Sequence, residues 1–177
     1  ALNYHYLNEV EAARDLARPE MARYFSAFTE PTETLREFDE IVFSKNSDLD
    51  LGAKTIALAN IGDYEAIVDA LAPRNFKYSP LYGGKFKASG VWLASWQALA
   101  QAKTGRNEES LKLSRRILDF VEFARSNGDV RGYEELEARC RLLLDQQDLV
   151  LPLLAKGLAN YTIGWRNLDA PWWDSIR

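Results

Sequence analysis

Apolar residues in this chain recur at helical spacing and almost never alternate. Met21, Tyr24, Phe25 and Phe28 fall at i, i+3, i+4 and i+7, the stripe that one face of a helix presents. Pro19 just ahead of them suits a first helical turn, where its missing N–H removes no bond. After the break at Pro31 the stripe returns as Leu35, Phe38, Ile41 and Val42, with Thr32 placed as the N-cap. Further helices are predicted over 49–61, 64–72, 87–103, 108–126, 131–145 and 149–161. They are separated by breaks at Gly62-Asp63, Gly105-Arg106-Asn107, Asn127-Gly128-Asp129 and Gln146-Gln147-Asp148, and the stretch 75–84, with Pro80 and two glycines, reads as a loop. Leu113, Ile117, Phe120 and Ala124 share one helix face, and Tyr133, Leu136, Cys140 and Leu143 share another. Paired in order, these segments make helical hairpins whose internal turns lie about 40 residues apart, a period typical of stacked hairpins.

Two stretches add to that rhythm. "ANIGDYEAIVDAL" (59–71) and "AKTGRNEESLKLSRRIL" (102–118) resemble the inter-helix turn and second helix of tetratricopeptide-type repeats, with Ser110 where that family usually has alanine. Glycine permits the tight turn and a small residue lets two helices approach. The chain departs from the pattern in several places: Ala66 comes one residue early after Gly62, the third unit lacks a turn glycine, 108–126 is long for a repeat, and so is the connection 73–86. "APWWDSIR" at the end is similar to tails that close such arrays. The expected fold is all-α, stacked antiparallel helical hairpins, as a tetratricopeptide-like array or an irregular bundle. Residues 1–48 are expected as an N-terminal helical segment, 49–161 as three hairpins, and 162–177 as an aromatic tail packed on the last hairpin.

Composition narrows the partners. The 177 residues are 47% hydrophobic and 27% charged with a net charge of −4. That is ordinary for a folded domain and unsuited to coating a phosphate backbone, so nucleic acid is not expected as the partner. The basic residues Lys112, Arg115 and Arg116 cluster, but acids surround them. No apolar run reaches the roughly 18 residues a membrane span needs. The lone cysteine, Cys140, allows no intrachain disulfide, which fits the cytoplasm slightly better than the periplasm or the exterior and leaves the compartment open. The first residue is Ala1, so a processed or excised product is expected, with any leader or neighbouring domain out of view.

The candidate chemistry is sparse. Gly83-Gly84-Lys85 lacks the glycine spacing and hydroxyl of a phosphate loop, with Phe86 where the hydroxyl belongs, so it reads as a turn into a helix. His5, the only histidine, lies near the N-terminus, which leaves no histidine metal cluster or catalytic triad. Cys140, on an apolar face, reads as a buried thiol and not as a nucleophile. Glu108/Glu109 and Glu134/Glu135 stand at helix starts, where they favour the dipole. Asp48 and Asp50 are expected to cap a helix and do not complete a calcium loop. The function expected is a non-enzymatic, regulatory or protein- and peptide-binding module without metal or cofactor, of undetermined oligomeric state. Its candidate surface is Tyr78, Tyr82, Lys85, Trp172 and Trp173, off the helical stripes. The alternative is a small-molecule sensor with a pocket at Trp92 and Trp96 beside the long loop. An enzyme working through carboxylates alone is the least favoured reading.

Overall fold

Helices with one apolar stripe must bury it against one another, and the computed structural model shows how. It describes residues 26–40, 48–74, 88–129, 132–160 and 171–173, and among these every regular element is a helix and none is a strand. The elements are α1 (Pro31–Glu40), α2 (Asp48–Ile61), α3 (Tyr64–Leu71), α4 (Ala88–Lys103), α5 (Asn107–Ser126), α6 (Glu134–Leu143) and α7 (Gln147–Ala159). Short 3₁₀ turns occupy Ala72–Arg74 and Pro171–Trp173. The chain forms two compact units, Ala1–Ala70 and Leu71–Arg177, so the array expected over 49–161 runs through both. Met21, Tyr24, Phe25, Ile41 and Val42 lie outside the described residues.

In the first unit α1 packs on α2. Phe38, Ala53, Ile56 and Ala57 are buried there, and Asn60 Nδ2 donates to the Ala27 carbonyl at 3.1 Å. Thr32 does not cap α1. The helix starts at Pro31, whose preset φ suits a first position, and the Thr34 N–H already reaches the Glu30 carbonyl at 3.0 Å. Asp48 and Asp50 likewise stand inside the first turn of α2 and not ahead of it.

In the second unit α4 and α5 form one hairpin and α6 and α7 another; the two stack where α6 packs against both α5 and α4. Val91, Ala94 and Ala98 from α4, Leu113, Ile117, Phe120, Val121 and Ala124 from α5, and Tyr133, Leu136 and Cys140 at α6 form one apolar cluster. Small residues on α4 let α5 come close. Ser110 sits where the repeat pattern favours alanine; it is buried, and its hydroxyl donates to the Ala98 carbonyl at 2.7 Å, tying the two helices together. Helix α6 is shorter than the predicted 131–145. Tyr133 stands just outside it, its ring edge-on to Phe120 at 5.8 Å and its hydroxyl donating to Asp129 at 2.7 Å. Those contacts fix where the chain enters the helix.

Four helices end in the same way. At Gly62, Gly105, Gly128 and Asp145 the backbone is left-handed, with φ of 79°, 79°, 77° and 59°. In each case the next N–H reaches back five residues: Asp63 to the Leu58 carbonyl, Arg106 to Gln101, Asp129 to Ala124 and Gln146 to Arg141, at 2.8–3.0 Å. This Schellman geometry satisfies carbonyls that a helix end leaves open. The α6–α7 hairpin has the turn its sequence lacked a glycine for, because Asp145 takes the left-handed position itself. After the first turn, Asp63 Oδ1 accepts from the Ala66 N–H at 3.1 Å and caps α3.

Candidate functional site

Stacking α6 against α5 leaves a furrow between them that runs to the α6–α7 turn. It is an open groove of about 790 Å³, lined by Arg115, Leu118, Asp119, Val121, Glu122 and Arg125 from α5 and by Glu137, Arg141, Leu144 and Gln146 from the other wall. Leu118, Val121 and Leu144 give it an apolar floor. Its rim carries three guanidiniums and three carboxylates. Glu137 joins two of the arginines, taking Arg125 from across the groove at 2.6 Å and Arg141 from one helical turn on at 3.3 Å. Arg141 also donates to Gln146 at 2.8 Å, while its Nε is buried with no acceptor among the described residues. The groove's walls are therefore pre-positioned by ion pairs, and its sequence signal was weak. Of the basic cluster at 112–116, Arg115 faces this groove. Lys112 and Arg116 line a separate hollow of about 390 Å³ with Gln97, Gln101 and Glu109.

A second constellation lies between α4 and α6. The guanidinium of Arg139, 2% exposed, is held among Trp96, Trp172 and Trp92, at 5.0, 5.1 and 5.6 Å from the ring centroids. It pairs with Glu135 one turn back on α6 and donates to Ser95 Oγ at 3.3 Å, and that hydroxyl in turn donates to the Trp92 carbonyl at 2.7 Å. Trp96 meets Trp92 and Trp172 edge-on, each at 5.8 Å. Rings on several sides compensate a desolvated cation through their negative faces.

This arrangement corrects two expectations. Trp92 and Trp96 do not frame an empty pocket, because Arg139 fills the space against them and Trp96 is 1% exposed. Trp172 and Trp173 are not an exposed aromatic surface; each is 2% exposed, since two indoles outside any helical stripe still find apolar cover by folding onto α4 and α6. Tyr78, Tyr82 and Lys85 lie outside the described residues, as do His5, the glycines at 83–84 and Trp165.

The remaining candidates keep structural roles. Cys140 is fully buried, and burial pushes its thiol up to about 12, against a smaller opposing effect of Arg139. Glu134 pairs with Lys156 of α7 at 3.2 Å, which adds a tie across the second hairpin to its favourable place at a helix start. Among the described residues no three potential metal ligands come together, and no helix is long and apolar enough to cross a membrane. Comparison with protein-family models, curated proteins and solved structures finds no match.

Proposed function

We propose that the unit Leu71–Arg177 is a non-enzymatic binding module that takes a segment of a partner polypeptide into the α5–α6 groove. The observation that carries this reading is the groove's make-up, an apolar floor under a rim of three arginines and three carboxylates, with Arg125 and Arg141 held by Glu137. A floor of that kind offers area to a partner's apolar side chains, and a charged rim sets orientation and discriminates partners more than it adds affinity. The rim's charges balance, which favours a polypeptide carrying both signs over a polyanion such as nucleic acid. Stacked helical hairpins supply extended grooves suited to such ligands, an argument from architecture alone.

The test is selection of displayed peptides on the purified protein, followed by Arg115→Glu. Arg115 is exposed, so the reversal leaves stability within about 0.5 kcal/mol. Affinity for a selected peptide is expected to fall at least about tenfold, roughly 1.4 kcal/mol. Selected peptides that bind the variant as well as the wild type would overturn the assignment of the groove.

A further inference from the structure

The six charges on the rim of the α5–α6 groove are not equally open to a ligand. Glu137 already holds Arg125 at 2.6 Å and Arg141 at 3.3 Å, and Arg141 is engaged again by Gln146 at 2.8 Å. The other three, Arg115, Asp119 and Glu122, all stand on α5, where they line the groove and are exposed. Their spacing of i, i+4 and i+7 sets them in one row on a single helix face, beside Leu118 and Val121 of the floor. Asp119 and Glu122 are neighbours in that row. Like charges one turn apart repel, so a cation set between them is attracted by both and relieves the repulsion. Arg115 stands one turn before Asp119 and favours the opposite sign. The open part of the rim therefore has a polarity along α5, cationic at one end and doubly anionic at the other.

Resting on the reading of this groove as a polypeptide site, we propose that Asp119 and Glu122 determine its specificity. The segment it takes sets a lysine or arginine between these two carboxylates, an apolar side chain on Leu118 and Leu144, and an aspartate or glutamate at Arg115. At the helical rise, the point midway between the carboxylates lies about 8 Å along α5 from Arg115. The partner's acid and base are spaced to match, about two to three residues apart in an extended segment. Rim charges act mainly on the choice and orientation of a partner. A segment with an acid at the Asp119–Glu122 end is rejected by like charge, which is how such a groove discriminates.

The probe is a displayed library of random dodecapeptides, selected in parallel on the wild type and on Asp119→Lys/Glu122→Lys. The wild type is expected to enrich peptides with Lys or Arg near a large apolar residue, and the reversed pair to enrich Asp or Glu at that place. In a peptide enriched on the wild type, changing the basic residue to Glu is expected to lower affinity at least about tenfold for the wild type and to raise it at least about threefold for the reversed variant. A merely structural role for the two carboxylates would not exchange the preference in this way. Asp119→Asn/Glu122→Gln is expected to bind the two peptides within about threefold of each other, and it decides the matter if the reversed variant does not fold. Enriched peptides that lose affinity on Arg115→Glu yet carry no basic residue, or whose basic residue can be reversed without loss, would overturn this specificity and leave the groove standing as a polypeptide site. Peptides indifferent to Arg115→Glu and to both carboxylate variants, or no enrichment on the folded wild type, would overturn both.

Discussion

Arg139 shows how much of this unit turns on a few side chains. A buried arginine is tolerable only while its partners stay in place, because an ion stripped of water and left unpaired costs several kcal/mol. Glu135 is the carboxylate partner here, with three indoles and Ser95 around it. Removing the carboxylate should therefore hurt more than removing the cation. Glu135→Ala is expected to cost about 3 kcal/mol, whereas Arg139→Leu, which puts an apolar side chain among apolar rings, is expected to lie within about 1.5 kcal/mol of the wild type. Urea unfolding of the two variants checks the order, and a larger loss for Arg139→Leu would show that the guanidinium contributes net stability.

The neighbouring residue yields a pH prediction. Cys140 titrates at about 12 when folded, against 9.0 as its ordinary value. Below the ordinary value the thiol is protonated in both states and its contribution is complete. Between the two values only the unfolded chain ionises, so stability falls as pH rises, by up to about 1.4 kcal/mol per pH unit. The difference in stability between wild type and Cys140→Ala should shrink over that alkaline window and stay level at lower pH. The native thiol should also resist an aromatic disulfide reagent until the protein unfolds.

At the scale of elements, the turns set the fold's rhythm. Nothing lies within 4 Å of a Cβ built at Gly62 or Gly105, so the cost of alanine there is backbone strain alone. Gly105→Ala is expected to destabilise by about 1–2 kcal/mol, and Asp145→Gly to stabilise by up to about 1 kcal/mol by relieving a left-handed non-glycine residue. Opposite shifts in melting temperature for the two variants would check both. The glycine turns could be read from the sequence because glycine is the residue such a position demands. The turn at Asp145 could not be placed so closely. Aspartate tolerates the left-handed region without marking it, and the polar run after it drew the break to Gln146–Asp148. Ser110 stands where the repeat pattern has alanine; its hydroxyl gives serine a use there, through a partner on another helix that no local pattern reveals.

At the scale of the whole molecule, what the sequence conceals is long-range. The all-α character and most helix bounds follow from periodicity, a local property. The groove is different: its floor residues Leu118 and Val121 share α5 with core positions, and its rim combines α5 with α6, so only the stacking of hairpins creates it. The tail tryptophans belong to no stripe, and their burial is decided by Arg139 and Trp96 on other elements. On the function proposed, the α5–α6 groove receives a polypeptide. Amide hydrogen exchange, measured with and without a peptide selected on the protein, tests it most directly. Added protection is expected, confined to residues 115–126 and 137–146. Protection that falls elsewhere in the chain and spares both stretches would contradict it.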